Sequence, residues 1–172
     1  MIDKNSLSVV LNIFFDSPTN EFHARELSRK TGLSIFSVLE AIKKLSKEGL
    51  ISVHKKGNMK IVKASNSMKF IRIKRIRNLE KLYESGIVDY LNEQYNNPEA
   101  IILFGSYSRG DDVENSDIDI GIISKEHKKE ALEKFEKKLL RKISLHETDF
   151  KKISKEFHNN LINGIILEGA IS

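Results

Sequence analysis

The apolar positions of the first fifty residues predict three helices. Apolar side chains recur at a helical spacing of three and four residues between Ser6 and Phe15, and again before Thr31-Gly32, where a short helix is expected to end. A longer helix then begins at the capping residue Ser34 and ends at Gly49. Its predicted inward face consists of Val38, Leu39, Ile42 and Leu45.

Two alternating runs after these helices predict a hairpin, and a further helix follows it. The runs span 51–55 and 59–64, and Gly57-Asn58 between them is a typical two-residue turn. Over 67–84 the helical spacing returns, with lysines and arginines opposite an apolar stripe. The stripe consists of Phe70, Ile73, Ile76, Leu79 and Leu82. We expect a linking helix whose apolar face lies in a core or a dimer seam and whose basic face is solvated or extends a DNA-binding surface.

The second half of the chain alternates predicted helices with predicted strands. After a helix from 87 to 95, the apolar run 100–104 is typical of a strand that is covered on both faces. A polar loop at 107–116 then precedes Asp117-Ile118-Asp119 and further apolar residues. Period-two alternation places the two aspartates on one strand face, about 7 Å apart. A helix over 125–140, a strand after it and a final helix, glycine and strand in "NNLINGIILEG" are also expected.

The charge distribution divides the chain into a basic part and a slightly acidic part. Residues 1–97 carry 17 Lys and Arg against 10 Asp and Glu, whereas residues 98–172 carry 12 against 14. Basic surfaces attract nucleic acid, and acidic pockets hold cations. Because the chain has no cysteine and no apolar run long enough to span a membrane, we expect a soluble, cytoplasmic protein without disulfides or thiolate metal sites.

Gly105-Ser106 and the aspartate pair together predict a site for a nucleoside triphosphate. Glycine lets backbone amides approach a ligand closely, and the hydroxyl group of Ser106 can bind a phosphate oxygen. Two carboxylates on one face are unfavourable unless a cation neutralises them, and Mg²⁺ typically binds one or two carboxylates together with substrate phosphates. We therefore expect Ser106 to hold the triphosphate while Asp117 and Asp119 place Mg²⁺, or Mn²⁺, at the phosphorus atom that is attacked.

This arrangement resembles the nucleotidyltransferase superfamily of DNA polymerase beta, and in particular its small prokaryotic members, the minimal nucleotidyltransferases. The resemblance covers roughly Ile87 to the end of the chain and rests on the strand, Gly105-Ser106 and Asp117-Ile118-Asp119. The stretch "GSYSRGD" adds Gly110 and Arg109 as nucleotide-binding residues, with Arg109 at a basic position that would meet phosphate. The resemblance implies transfer of a nucleoside monophosphate from an NTP such as ATP to a hydroxyl group, with release of pyrophosphate.

The same resemblance implies a third carboxylate on a later strand, which activates the incoming hydroxyl group. Alignment of the apolar residues puts this position at Ser144, which cannot bind metal as a carboxylate. Glu147 is the predicted substitute, provided that the strand shifts or bulges, and it joins Asp117 and Asp119 as a catalytic residue. His146 as a base is the alternative, and Asp149 is expected to cap the next helix.

The first module resembles a winged helix-turn-helix DNA-binding domain of the kind found in prokaryotic regulators. The resemblance rests on "ELSRKTGLS" at the turn, on "LSKEGLI" after the longer helix and on the basic hairpin. It implies that the longer helix enters the major groove of double-stranded DNA and that the hairpin contacts the DNA backbone. The implied DNA-binding residues are Ser34, Phe36, Ser37, Ala41 and Lys44 on the helix and Lys55, Lys56 and Lys60 on the hairpin. Glu40 would also face the DNA, which is unusual unless it accepts a hydrogen bond from a cytosine amino group.

We therefore expect a chain of the α/β (α+β) class with three parts. These are an N-terminal winged helix domain at 1–66, a basic linking helix at 67–86 and a C-terminal polymerase-beta-like nucleotidyltransferase domain with a mixed sheet at 87–172. The favoured function is Mg²⁺-dependent nucleotidyl transfer to an unknown hydroxyl acceptor, combined with DNA binding, because the aspartate pair and the serine turn are intact.

Two alternatives stay open beside this function. In the first, catalysis is weak or lost, and NTP occupancy biases a DNA-binding regulator that forms a homodimer. In the second, which rests on family analogy only, the chain pairs with a helical toxin-type protein as an antitoxin. Winged helices also serve as protein-protein modules, so docking or dimerisation is a further role for the first module.

Overall fold

The computed structural model of the chain describes residues 6–126, 128, 131–148 and 153–171. The chain divides into two compact units, Met1–Arg72 and Ile73–Ser172, each with its own sheet. The boundary falls within a single helix, α4 (Met68–Ser85), so the predicted linking helix is shared between the two units. None of the described helices is long and apolar enough to cross a membrane.

The N-terminal unit contains three helices and a small antiparallel sheet. The helices are α1 (Ser6–Asp16), α2 (Ala24–Thr31) and α3 (Ile35–Lys47), and the strands are β1 (Glu21–Phe22), β2 (Ile51–Lys56) and β3 (Met59–Ala64). The strands lie in the order β1-β3-β2. Gly32 ends α2 with a φ of 70°, and the hydroxyl group of Ser34 accepts a hydrogen bond from the amide of Ser37 to cap α3. The predicted turn between α2 and α3 and the predicted hairpin are therefore present.

The buried face of α3 differs from the predicted face. Its buried residues are Val38, Ala41, Ile42 and Leu45. These positions follow the spacing i, i+3, i+4, i+7 and therefore form one stripe along the helix. Leu39 lies outside the stripe and is 50% exposed, whereas Ala41 is buried. The predictions of an inward Leu39 and of a groove-facing Ala41 are wrong.

The C-terminal unit is built around a four-stranded mixed sheet. After α5 (Ile87–Gln94) come β4 (Ala100–Phe104), α6 (Gly105–Arg109), β5 (Ile118–Ile123), α7 (Glu133–Leu139), β6 (Ile143–Thr148), α8 (Lys155–Ile162) and β7 (Ile165–Gly169). The strand order is β6-β5-β4-β7, with β5 and β6 parallel and the other pairs antiparallel. The prediction of a mixed sheet is therefore confirmed.

The two faces of this sheet are covered by different helices. Alternate residues of β5, among them Ile118 and Ile120, pack in a core with residues of α4, α5 and α7. The other face of the sheet carries a second, smaller core to which α8 contributes Leu161. At Gly121 an added Cβ atom would lie 2.6 Å from Cδ2 of Leu161, so the glycine permits α8 to pack closely. Asp119 lies on this second face.

Two elements of the C-terminal unit differ from the prediction. The residues after β4 form the short helix α6 instead of a loop, and Gly110 ends this helix with a φ of 80°. The helix predicted over 125–140 begins only at Glu133 in the described residues. Asp149, the predicted cap, lies outside the described residues, whereas the hydroxyl group of Ser154 caps α8.

Candidate active site

The turn after β4 lies directly against the carboxylate of Asp119. Because β4 and β5 are antiparallel, Phe104 pairs with Asp119, and Gly105 follows with a φ of 72°. An added Cβ atom on Gly105 would lie 2.1 Å from Oδ2 of Asp119. Glycine is therefore required twice, for the left-handed backbone and for the close approach of the carboxylate.

The short helix α6 carries the predicted nucleotide-binding residues. Ser106 is half-buried in its first turn, and its carbonyl oxygen accepts hydrogen bonds from the amides of Gly110 at 2.9 Å and Asp111 at 3.3 Å. Arg109 is exposed, with its Nε atom 3.1 Å from Oδ2 of Asp111. The structure thus brings Gly105, Ser106 and Gly110 into one turn beside Asp119.

The two predicted metal ligands have different surroundings. Asp117 is exposed just before β5, and Asp119 is half-buried as the second residue of that strand. Burial raises the pKa of Asp119 above its ordinary value, and the charge of Asp117 acts in the same direction, while His146 and Arg109 oppose it. A bound cation would relieve both the burial of this charge and the repulsion between the carboxylates.

The donor set fits a hard divalent cation. Mg²⁺ is usually held by one or two carboxylates and completes its shell with water and substrate phosphates. Among the residues that the structure describes, no group of three or more His, Asp or Glu side chains is arranged to hold a metal ion. Asp117 and Asp119 are the carboxylates that such a site would use, and Asp119 is the one that lies against Gly105.

The position next to Asp119 on β6 is occupied by Ser144, as the alignment of the apolar residues predicts. Glu147 pairs in register with Ile122, on the face opposite Asp119. Its carboxylate accepts hydrogen bonds from the hydroxyl group of Tyr95 and, at 2.6 Å, from the amide of Lys128. The prediction of Glu147 as a third catalytic acid is therefore wrong, because β6 neither shifts nor bulges beside β5.

His146 lies on the same face of the sheet as Asp119. Its Nε2 atom is 3.8 Å from Oδ1 of Asp119, and the side chain is 38% exposed. The imidazole ring packs against Phe104 and Phe157, with centroid distances of 5.2 and 5.5 Å. These ring contacts hold the imidazole next to Asp119.

The predicted DNA-binding residues of the N-terminal unit do not all share one surface. Lys44 is exposed on α3, and the exposed Ser34 is already used as the helix cap. Its hydroxyl oxygen also lies 2.9 Å from that of Ser37. On the hairpin Lys55 and Lys60 lie directly opposite each other in register, whereas Lys56 projects from the other face and its Nζ atom lies 3.4 Å from Oε2 of Glu21.

Sequence reasoning missed two buried polar residues of α4. The predicted apolar stripe included Ile76, which is 65% exposed, whereas Lys74 and Asn78 are buried. Phe70, Lys74, Asn78 and Leu82 follow one another at four-residue intervals and are all buried. Two polar residues within an otherwise apolar stripe were the signal that could have identified them.

Comparison with protein families identifies the class of the protein. The family model of the nucleotidyltransferase domain matches residues 84–172, which are 89 of the chain's 172 residues. The match includes the Gly105-Ser106 turn and both aspartates. The chain therefore belongs to the nucleotidyltransferase family, and its enzyme class is that of a transferase.

Two further comparisons add no functional argument. Comparison with curated proteins gives no match. One solved chain, from a structure described as "Structural insights into the DNA recognition and protein interaction domains reveal fundamental homologous DNA pairing properties of HOP2", is 22% identical and matches 36% of this chain and 100% of that chain, with a TM-score of 0.32. At that score the similarity supports no conclusion about fold or function.

Proposed function

We propose that the chain transfers a nucleoside monophosphate from an NTP, ATP among them, to a hydroxyl group, with Mg²⁺ or Mn²⁺ held by Asp117 and Asp119. The observation that carries this proposal is the approach of the Gly105-Ser106 turn to Asp119, at which a Cβ atom on Gly105 would lie 2.1 Å from the carboxylate. The turn that we propose to bind phosphate, Gly105-Ser106, and a carboxylate that we propose to bind metal, Asp119, are therefore adjacent, as transfer at a phosphorus atom requires.

The reaction itself is an in-line displacement. The acceptor hydroxyl oxygen forms a bond to the α-phosphorus of the NTP, the bond from that phosphorus to the bridging oxygen breaks, and pyrophosphate leaves. A divalent cation, when bound, neutralises the phosphate charge that faces Asp117 and Asp119. The hydroxyl group of Ser106 donates a hydrogen bond to a triphosphate oxygen, and the guanidinium group of Arg109 adds positive charge beside it.

The proton of the acceptor hydroxyl needs a base on the same face as Asp119. Glu147 is excluded from this role because it lies on the opposite face of the sheet. His146, with Nε2 3.8 Å from Oδ1 of Asp119, is a side chain on the correct face that can accept the proton. It is therefore the residue that we assign to this step.

The test is calorimetric titration of ATP and the other NTPs, with and without Mg²⁺, into the wild type and the variant Asp117→Ala/Asp119→Ala. We expect metal-dependent binding that the double variant loses. Asp89→Ala, which removes an exposed carboxylate from α5, is the matched control and should bind like the wild type. Absence of binding to the wild type at millimolar NTP would contradict the proposal, and no acceptor needs to be known for this result.

We further propose that the N-terminal unit is a winged helix that binds double-stranded DNA. The support is the order of α2, the Gly32 turn, α3 and the β2–β3 hairpin, together with the exposed Lys44 and the adjacent Lys55 and Lys60. Lys55→Ala/Lys60→Ala should weaken DNA binding, and the slope of log affinity against log salt should become shallower by about one for each lost phosphate contact.

Lys56→Ala is the matched control for this experiment. It removes one charge from the same hairpin, as the single substitutions Lys55→Ala and Lys60→Ala each do, but from the face on which Lys56 pairs with Glu21. We expect a smaller loss of DNA affinity than for the substitution of either Lys55 or Lys60. Equal losses for all three lysines would show that only overall charge matters and would contradict a defined DNA-binding face.

A further inference from the structure

Two polar side chains of α4 are buried within the C-terminal unit. Lys74 is 1% exposed and Asn78 is 4% exposed, and they are one helical turn apart on the same face. A buried ammonium group is strongly unfavourable unless it is paired and hydrogen-bonded. The ammonium group of Lys74 therefore requires a buried carboxylate or other acceptor within hydrogen-bonding distance.

That partner is Asp112, which lies in the segment between α6 and β5 and is 2% exposed. The Nζ atom of Lys74 is 2.9 Å from Oδ1 of Asp112 and also donates to its carbonyl oxygen. Asn78 donates to the same Oδ1 at 2.8 Å, and Nη2 of Arg141 lies 3.8 Å from Oδ2. Burial lowers the pKa of Lys74, and the Asp112 carboxylate opposes that shift. We refer to Lys74, Asn78, Asp112 and Arg141 as the Asp112 cluster.

The Asp112 cluster is connected to both halves of the candidate active site. The Nδ2 atom of Asn78 also donates, at 2.9 Å, to the carbonyl oxygen of Tyr107, the residue after Ser106. Oδ1 of Asp112 and the carbonyl oxygen of Tyr107 can only accept hydrogen bonds, so the side-chain nitrogen of Asn78, and not its oxygen, must face them. A single side chain of α4 is thus bonded to the helix that carries Ser106 and to the segment that leads to Asp117.

The segment from Asp112 to Asp117 is itself closed into a fixed turn. The amide of Val113 donates to the hydroxyl group of Ser116 at 2.9 Å, and the amide of Ser116 donates to the carbonyl oxygen of Val113 at 3.0 Å. Arg141 donates to the carbonyl oxygen of Glu114 at 2.5 Å. A displacement of Asp112 would therefore be transmitted to Asp117.

We propose that Lys74 and Asn78 are positioning residues that act through Asp112 and Tyr107 to hold Ser106 and Asp117 at the separation that a metal-bound triphosphate requires. The inference rests on the proposed function, since it assumes that this separation is used for a nucleotide. Neither residue touches the reacting atoms. Groups hydrogen-bonded directly to a metal ligand typically contribute a factor of 10 to 100 in metal affinity. Because Lys74 and Asn78 act through Asp112 and the turn after it, we expect an effect at the lower end of this range, about tenfold.

The competing interpretation is that the cluster only stabilises the fold. The two interpretations are separated by variants that remove the anchor without leaving the Lys74 ammonium group or the Asp112 carboxylate buried alone, and in which Arg141 keeps its hydrogen bond to the carbonyl oxygen of Glu114. Lys74→Met/Asp112→Leu replaces both charged groups with apolar side chains, which often leaves stability unchanged or higher. Asn78→Leu, an approximate isostere, removes both amide hydrogen bonds and keeps the ion pair, so it provides a second variant in case the first does not fold.

Ser85→Ala is the matched control on the same helix. Ser85 is buried, but its hydroxyl group donates to the carbonyl oxygen of Leu82 and accepts from the amide of Ile87, and neither lies in the active-site segment. Its substitution lowers stability without touching Asp112 or Tyr107. Any general effect of destabilisation on nucleotide binding would therefore appear in this variant as well.

The experiment measures two quantities on the full chain. The first is the Mg²⁺ concentration that gives half-maximal ATP binding by calorimetry, and the second is the rate of backbone amide exchange over 110–117. We expect Lys74→Met/Asp112→Leu and Asn78→Leu to require about tenfold more Mg²⁺ and to exchange faster in this segment. Ser85→Ala and the wild type should agree in both measurements, whatever their thermal midpoints.

The outcomes distinguish a failure of the positioning role from a failure of the proposed function. A wild-type Mg²⁺ requirement in both cluster variants overturns the inference, and so does an equal loss in Ser85→Ala. If the wild type shows no Mg²⁺-dependent ATP binding, the proposed function fails, and the exchange rates still decide whether Lys74 and Asn78 hold the segment. Unchanged exchange in both cluster variants overturns the inference in that case.

Discussion

Two independent requirements exclude a side chain at Gly105, and they can be measured separately. Gly105→Ala places a Cβ atom 2.1 Å from Oδ2 of Asp119 and also forces alanine into a left-handed conformation with a φ of 72°. The conformational term costs about 1–2 kcal/mol of unfolding free energy. We expect this loss in denaturant unfolding, together with a loss of Mg²⁺-dependent ATP binding, because Asp119 must move.

Gly86→Ala is the control for this prediction. Gly86 has a similar φ of 81°, but an added Cβ atom meets nothing within 4 Å. It should show only the conformational loss of about 1–2 kcal/mol of unfolding free energy, which Gly105→Ala should equal or exceed, and it should bind ATP like the wild type. Equal nucleotide binding by the two alanine variants would contradict the assignment of the Gly105 turn to the site.

The raised pKa of Asp119 predicts how stability depends on pH. The folded state retains the proton of Asp119 to a higher pH than the unfolded chain, where the ordinary value is 3.8. Between these two pKa values the folded state binds more protons, so this residue lowers the unfolding free energy as pH rises through that window. Asp119→Asn lacks this contribution. In metal-free buffer, its stability relative to the wild type should therefore increase as the pH rises above 3.8, until Asp119 of the folded wild type has lost its proton.

Addition of Mg²⁺ at neutral pH should reverse this order. On the proposed metal assignment, the cation stabilises the folded wild type through Asp117 and Asp119, whereas Asp119→Asn has one ligand fewer. Thermal unfolding with and without Mg²⁺ measures both effects. A wild-type midpoint that does not respond to Mg²⁺ in the presence of ATP would argue against the metal assignment.

At the scale of elements, Ser34 caps α3, and the question is whether it also contacts DNA. Its hydroxyl oxygen accepts a hydrogen bond from the amide of Ser37 at 3.1 Å. Ser34→Ala should lower the unfolding free energy by about 1 kcal/mol. Ser34→Asp keeps a capping oxygen and adds a negative charge, which is favourable at a helix N-terminus and unfavourable beside DNA phosphate.

Denaturant unfolding and DNA titration of the two Ser34 variants give separate answers. We expect Ser34→Asp to keep wild-type stability while its DNA affinity falls and depends more weakly on salt. Unchanged DNA affinity in Ser34→Asp would remove Ser34 from the DNA-binding surface and leave it as a cap only.

The elements that the sequence predicted correctly are those with a clear period. The helix near Ser6–Asp16, the hairpin around Gly57-Asn58 and the strand after Asp117 each show several repeats of their spacing. The five residues of α6 are too few to show a helical period, and they begin with glycine, so a loop was predicted instead. The short length of the α6 segment and its glycine, and not the chemistry of its side chains, therefore explain the wrong prediction.

The misplaced site residues have a different cause. Five of the six residues of β6 are partly buried, so the alternation does not mark which face carries the site, and Glu147 was assigned to the wrong one. On α4 the buried Lys74 was assigned to the basic face, which was expected to be solvated or to extend a DNA-binding surface, because a spacing pattern assigns charged residues to the surface. Both errors concern polar residues whose burial depends on a distant partner, which local pattern cannot supply.

At the scale of the whole molecule, the division into two compact units predicts that the two proposed activities, nucleotide binding and DNA binding, can be removed separately. Asp117→Ala/Asp119→Ala should abolish metal-dependent ATP binding and leave DNA affinity unchanged. Lys55→Ala/Lys60→Ala should have the opposite effect, because the hairpin and the aspartate pair belong to different units. Titrations of both ligands into both variants at fixed salt complete the comparison.

The regulator alternative makes a contrary prediction for the same titrations. If nucleotide occupancy biases DNA binding, saturating ATP and Mg²⁺ must change the DNA affinity of the wild type, and DNA must change the ATP affinity by the same factor. A coupling of 1–3 kcal/mol, or about 5- to 150-fold, would be typical. The dependence should disappear in Asp117→Ala/Asp119→Ala. We expect no such reciprocal change, and its appearance would establish a nucleotide-responsive regulator in place of two independent activities.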